Sequence, residues 1–312
     1  MGPSYLNLYR EGILDKRVKE SLKLLDSCSL CPRECGVDRT NDETGFCRTG
    51  RLARIASYDS HFGEESVLVG THGSGTIFIS SCNLLCGFCQ NYEISHLNEG
   101  VESKPEDIAA VMLYLQQRGC HNINFVTPTH VVPQLLESLL IAVEKGLNIP
   151  LVYNTGGYDK VETLNILNGI FDIYMPDYKF WGREASKRFC DASDYPEFVK
   201  KALIEMHRQV GDLEINDEGI ALKGLLIRHL VMPGDIAETP EIMKFISKEI
   251  SENSYVNIMD QYRPSGGAVN HPDINRPLEA KEYKAARESA EKAGLKRLDP
   301  RDRIRWVFKY EQ

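Results

Sequence analysis

The sequence predicts an α/β protein: a partial TIM-like barrel of six βα units, with a small cysteine-rich segment at its N-terminal side. Three observations predict it. Short apolar runs at 76–81, 122–127, 150–154, 171–176, 224–231 and 254–260 alternate with helical patterns near 104–118, 131–145, 159–168, 195–211 and 240–252. Such alternation implies parallel strands joined by right-handed crossovers. Each run ends in polar or ionisable residues, as expected where chemistry gathers at the carboxyl ends of barrel strands. Finally, residues 28–50 hold four cysteines among few apolar residues, so this stretch cannot build a core of its own.

The elements follow in order. Residues 10–26 read as a helix, with Ile13, Leu14, Val18, Leu22 and Leu25 close to one stripe. Ser103 with Glu106 suggests a capping box for the helix near 104–118. Thr239-Pro240 reads as an N-cap followed by proline, and Gly146 and Gly294 suit helix C-terminal caps. A hairpin is expected across Leu213 to Leu222, turning at Asn216-Asp217-Glu218-Gly219. A last helix is expected over 278–293, and a polar tail with Trp306 and Phe308 follows. The domain organisation expected is 1–70 for the N-terminal helix and metal-binding segment, 71–295 for the barrel, and 296–312 for the tail.

Composition narrows the function. The chain has 312 residues, 42% hydrophobic and 26% charged, with a net charge of −8. That is an ordinary globular composition, and the acidity argues against a nucleic-acid binder, which usually carries a basic face. No apolar stretch is long enough to span a membrane, and Met1-Gly2-Pro3-Ser4-Tyr5 has neither a signal-peptide pattern nor a convincing myristoylation context. Nine cysteines in such a chain point to a reducing, cytoplasmic setting and to metal ligation rather than disulfides.

The chemistry starts at Cys82, Cys86 and Cys89, spaced Cys-x3-Cys-x2-Cys just after the first strand. Three thiolates are one short of the four usual around an iron–sulfur cube, so one iron stays open to a ligand. Zinc would want a fourth ligand, and Gln90 and Asn91 are poor ones. A redox pair using Cys86 and Cys89 would leave Cys82 idle. A second set, Cys28, Cys31, Cys35 and Cys47, supplies four ligands for zinc or an auxiliary iron–sulfur cluster, which would staple the segment. Cys120 and Cys190 are isolated and read as core or idle thiols. Gly73-x-Gly75 is no dinucleotide fingerprint, because the glycines precede the strand.

At the remaining strand ends stand Thr127-Pro128-Thr129-His130, Asn154-Thr155-Gly156-Gly157, Pro176-Asp177-Tyr178-Lys179 and Asp260-Gln261-Tyr262-Arg263. Arg228 and His229 are adjacent on the fifth strand, so at most one faces into the barrel. His130 is the expected rim histidine, while His121 precedes its strand and belongs at the far end. Asp177 and Lys179 alone could be a surface ion pair.

With Cys-x3-Cys-x2-Cys, Phe88, Cys89-Gln90-Asn91, Leu30-Cys31-Pro32-Arg33, Tyr153-Asn154-Thr155-Gly156-Gly157 and Met259-Asp260-Gln261-Tyr262-Arg263-Pro264, the chain resembles the radical S-adenosylmethionine (SAM) superfamily. Within it, the chain is similar to the PflX-type branch of pyruvate formate-lyase activating enzyme-like proteins, over about residues 28–295. The resemblance implies a [4Fe-4S] cluster on Cys82, Cys86 and Cys89, SAM as cosubstrate, and a 5′-deoxyadenosyl radical that abstracts hydrogen from a substrate. It implies that Phe88 lies at the adenine, and that Asn154, Thr155, Asp177, Lys179 and Gln261 hold SAM. A Gly-Gly-Glu stretch common in the superfamily is replaced here by Val126-Thr127-Pro128-Thr129, so Thr127 and Thr129 become the candidates for the SAM amino group. The implied partners are a reductant such as flavodoxin or ferredoxin and, if the chain is an activase, a glycyl radical enzyme as protein substrate. A small-molecule or peptide substrate is the alternative, and a non-catalytic iron–sulfur electron-transfer or sensor protein is a further one.

Overall fold

The computed structural model describes residues 2–300. All six expected strands form: β2 (Ser74–Ile79), β4 (Ile123–Val126), β5 (Leu151–Thr155), β6 (Ile173–Pro176), β8 (Ala221–Leu230) and β9 (Tyr255–Met259). They lie side by side in that order, each parallel to the next. The helices α5 (Pro105–Gln117), α6 (Val132–Glu144), α7 (Val161–Ile166), α9 (Tyr195–Val210) and α10 (Thr239–Phe245) intervene along the chain. This is the partial βα barrel expected.

Both edges carry additions. β10 (Arg297–Leu298) extends the sheet parallel to β9. On the other edge β1 (Ala53–His61) runs antiparallel to β2, and β3 (Val101–Ser103) runs antiparallel to β1. The sequence reading missed β1, because Ser57, Tyr58, Asp59 and Ser60 break its apolar pattern, as befits a strand with one wet face. The hairpin over Leu213–Leu222 forms as β7 (Glu214–Ile215) against β8.

Helix ends depart from expectation where the backbone demands it. The helix expected over 10–26 is two, α1 (Tyr5–Arg10) and α2 (Ile13–Lys23), because Gly12 turns left-handed at φ +67°. The cap of α5 is Asp107, whose carboxylate accepts the Lys104 N–H at 2.9 Å, rather than the Ser103–Glu106 pair. The pattern near 240–252 ends in a π-turn, Ile246–Ile250, after α10. α8 (Arg183–Cys190) was not anticipated, its polar face dominating a short sequence. The last helix forms as α11 (Ala280–Lys292), and Gly146 and Gly294 follow their helices with positive φ as expected. Trp306 and Phe308 lie outside the described residues. Among the described residues no helix is long and apolar enough to cross a membrane.

Two cores result. The larger fills the space between sheet and helices. The smaller lies inside the barrel, where Val152, Ile173, Met175, Leu226 and Tyr255 meet Val67 and Leu68 of α3 (Ser66–Val69). The Asn122 amide donates to the Leu68 carbonyl at 2.9 Å, fixing α3 across the N-terminal ends of the strands as a floor. Strand side chains alternate, so the faces that carry this apolar layer also carry Asn154, Asp177, Arg228 and Asn257 one step nearer the rim.

Candidate active site

The rim loop after β2 holds the three cysteines by backbone contacts. Leu85 sits at φ +50°, and the Cys89 N–H closes a turn onto the Cys86 carbonyl at 3.0 Å. The Cys82 sulfur accepts the Leu84 N–H at 3.3 Å, and the Cys89 sulfur accepts the Ser95 hydroxyl at 3.3 Å. Gly87 donates to the Phe189 carbonyl at 2.8 Å, docking the loop on α8.

Burial, with the neighbouring Cys86 adding repulsion, pushes the Cys82 thiol up to about 12 and raises that of Cys89. Cys86 is also raised, first by its hydrogen bond with Cys190 and then by burial. Metal ligation would replace protons on all three sulfurs, the usual coupling for a thiolate site. Among the described residues no three His, Cys, Asp or Glu side chains are gathered around a point fit for one metal ion. By their chemistry, three thiols carried on one loop are the donor set that a cluster held by three thiolates takes.

The charged residues of the mouth converge on this loop. Lys179 Nζ meets Asp177 Oδ2 at 2.6 Å, and Arg228 Nε meets Asp177 Oδ1 at 2.8 Å. Arg228 also donates to Asn154 Oδ1 at 2.6 Å. Burial would raise Asp177, but the two cations outweigh it and hold the carboxylate below its usual range. Asp177 and Cys86 in turn raise Lys179 against its own burial. The Asp177–Lys179 pair is therefore no loose surface bridge: each side chain is about 15% exposed or less. Arg228 was left unassigned from sequence. It is the member of the pair that faces inward, while His229 points outward, its ring bonded to the Tyr178 carbonyl and to Thr239.

Other expected site residues sit differently. The Thr129 and Thr155 hydroxyls, with that of Tyr153, all donate to the buried Asp159 carboxylate at 2.7–2.9 Å. That leaves neither threonine hydroxyl a free proton. Thr127 takes φ +65°, a costly conformation for a β-branched residue, and its N–H bonds the Asn154 carbonyl at 2.8 Å. Phe88 is buried against Phe180, Phe189 and Tyr262. Gln261 is exposed, and its carbonyl accepts from Gln90 at 2.8 Å, tying the sixth strand's end to the cysteine loop. His130 is a correction. It is buried, with Nε2 at 2.9 Å from the Ser80 carbonyl, and burial beside Arg39 lowers it to about 3. A ring held neutral and enclosed is a packing element, not a rim base.

Cys190 is a core thiol, as expected, and its sulfur also lies 3.3 Å from that of Cys86. No sequence spacing connects positions so far apart; only the unpredicted α8 brings them together.

The N-terminal cysteines are close by. Cys28, Cys31 and Cys47 are buried and mutually repulsive, and Cys35 accepts the Phe46 N–H at 3.3 Å. Burial is the main reason Cys31 rises to about 12. All nine cysteines are free thiols. Two arginines clamp this segment to the barrel. Arg33 donates to the carbonyls of Asn83, Cys190 and Asp191 at 2.9, 3.0 and 2.6 Å and stacks on Phe46. Arg39, 1% exposed, donates to the carbonyls of Gly50 and His130.

The chain is similar to known proteins in sequence and in overall structure. Residues 76–246 match the family model of the radical SAM superfamily. An uncharacterized protein of Methanocaldococcus jannaschii is 35% identical over 300 residues, covering 93% of this chain and 82% of the relative. The crystal structure of QueE from Escherichia coli superposes with a TM-score of 0.45 at 12% identity, covering 80% of this chain and 93% of that one.

Proposed function

We propose, for a chain that belongs to the radical SAM superfamily, that its rim trio Cys82, Cys86 and Cys89 holds a [4Fe-4S] cluster with one iron left for SAM. When bound, that cluster supplies the electron that splits SAM into methionine and a 5′-deoxyadenosyl radical, which takes hydrogen from the substrate. The observation that carries the reading is the placement of three thiols, Cys86 buried and Cys82 and Cys89 half-buried, beside the Lys179–Asp177–Arg228 chain at strand ends.

The chain's residues have definite tasks. Lys179 is the cation nearest the cysteines and suits the SAM carboxylate. Asp177, kept ionised, and Asn154 offer acceptors to the ribose hydroxyls. The Thr127 carbonyl, on its strained turn, replaces the missing glutamate for the SAM amino group, with Thr129 and Thr155 shaping the turn through Asp159. Gln261 and Phe88 bound the adenine side. The enclosed mouth excludes water from a reactive radical. The N-terminal quartet binds a second metal, zinc or an auxiliary iron–sulfur cluster, that braces this mouth through Arg33 and Arg39. A flavodoxin or ferredoxin is the expected electron donor.

Two hydrogen donors fit. The Asp177-x-Lys179 element and the cysteine motif favour kinship with activating enzymes, hence a glycine of a partner enzyme. The polar lining of the barrel interior favours a small molecule. Anaerobic reconstitution with dithionite and SAM tests the common step: 5′-deoxyadenosine and methionine form together. An electron carrier or sensor yields neither, which would end this reading.

A further inference from the structure

Between the α3 floor and the rim lies a polar layer for which SAM binding has no use. Glu64 and Glu65, from the turn before α3, meet Asn124 of β4, Arg228 of β8 and Asn257 of β9. Glu64 Oε2 is 3.5 Å from Arg228, and Glu65 Oε1 accepts from the Asn257 amide at 2.7 Å. Three polar atoms here have no hydrogen-bond partner, Glu65 Oε2, Asn257 Oδ1 and Asn124 Oδ1, while the Asn124 amide N–H faces Glu64. Their residues are 6%, 7% and 0% exposed. Each unpaired buried group is costly, so several at one place mark a spot prepared for a bound group.

The chemistry of the orphans specifies that group. All three are acceptors, so the complement carries N–H donors. The charges agree. Three carboxylates, Glu64, Glu65 and Asp177, face two cations, Arg228 and Lys179, and both cations are engaged by Asp177. Glu65 is held by an amide instead of a cation. Burial and then Glu65 push the Glu64 carboxyl up to about 7, as expected where positive charge is wanting. The layer also connects to the rim, since Arg228 touches Glu64 on one side and Asp177 on the other.

We propose that this layer is a substrate subsite for the protonated amino group of a small molecule, whose remaining atoms extend towards the rim. The proposal rests on the reading of the rim as the place where the radical forms, and it chooses the small-molecule hydrogen donor over a partner's glycine. Convergent polar groups inside an otherwise apolar chamber are the usual signature of a specificity site.

The test uses the anaerobically reconstituted holoprotein with SAM, titrated with n-propylammonium chloride and, at matched ionic strength, with potassium chloride. The readout is the thermal unfolding midpoint, which rises saturably with a ligand of the folded state. Propylammonium should stabilise where potassium does not. Glu65→Gln should weaken its apparent affinity about tenfold or more, a loss of one charge-assisted hydrogen bond. Glu218→Gln, on the exposed hairpin, should leave that affinity unchanged. Asn124→Asp adds an acceptor and should tighten binding severalfold, which also guards against a Glu65→Gln variant that folds poorly. Equal stabilisation by potassium, unaltered affinity in Glu65→Gln, or no gain in Asn124→Asp overturns the subsite. So does deuterium delivered to deoxyadenosine by a partner polypeptide. SAM cleavage without amine binding defeats this proposal alone, whereas absence of SAM cleavage defeats the reading beneath it.

Discussion

The protein holds two groups of cysteines, linked through Arg33 and Asn83, that lie in different surroundings. The rim trio lies on a loop whose neighbours are charged side chains: Lys179 bears on both Cys86 and Cys89. The N-terminal quartet lies in a segment whose neighbours are backbone carbonyls, seized by Arg33 and Arg39. Side-chain charge around the first can act on a ligand; hydrogen bonds around the second hold a shape. On the function proposed above, the trio is the place of reaction and the quartet the brace, and Arg33 joins them by gripping the Asn83 carbonyl inside the trio's own loop.

The strongest way to break this contrast is to remove one thiol from each group. Cys86→Ala should abolish 5′-deoxyadenosine formation, since two thiolates cannot hold the cube. Cys31→Ala should leave measurable uncoupled cleavage. Product quantification under anaerobic conditions reads both. Equal and complete loss would make the quartet part of the folding unit or of the main cluster.

Next in size is the brace itself. Arg39→Ala strips partners from buried carbonyls and should destabilise the chain by about 2–4 kcal/mol, read from the denaturant midpoint. Chelating the metal proposed for the quartet should loosen amide protection over residues 28–50 while β4 and β5 stay protected, read by hydrogen exchange.

A third effect is on pH. Burial lowers His130 from an ordinary 6.5 to about 3. The folded state therefore refuses a proton that the unfolded chain accepts below 6.5. Stability from this group is complete above that value and is lost as pH falls towards 3. His130→Gln should flatten that part of the stability profile, measured by urea unfolding across acidic pH.

The smallest expected effects sharpen the coupling. Arg33→Lys loses the fork that reaches three carbonyls and should slow uncoupled cleavage severalfold with little change in iron content. Cys190→Ala removes the S–H donated to Cys86 and should move the cluster's reduction potential to a more negative value, since hydrogen bonds to ligand sulfurs raise it. Spectroelectrochemistry with Cys190→Ser as the restoring variant distinguishes this from a packing change.

Much of this was legible in the chain. The six strands and the rim position of Cys82, Cys86 and Cys89 follow from period, length and motif, because parallel strands buried on both faces are written as apolar runs. The pairing of Asp177 with Lys179 was also readable, being two residues apart on one strand face. What escaped was set by tertiary proximity. Glu64 and Glu65 look like a solvated turn until α3 closes the floor beneath them. Arg228 could have been singled out by alternation, since Leu226 two residues earlier belongs on the apolar interior face. The threonines of 127–129 look like ligand groups in sequence, but the hydroxyl of Thr129 is spent on Asp159, a residue no local pattern links to it.

One measurement addresses the central claim most directly: electron paramagnetic resonance of the dithionite-reduced, anaerobically reconstituted protein, recorded with and without SAM. An iron left open by three thiolates predicts a reduced-cluster signal whose g-values shift when SAM is added and which vanishes in Cys86→Ala. A signal unchanged by SAM, or a rim loop loaded with zinc and silent, would contradict the account.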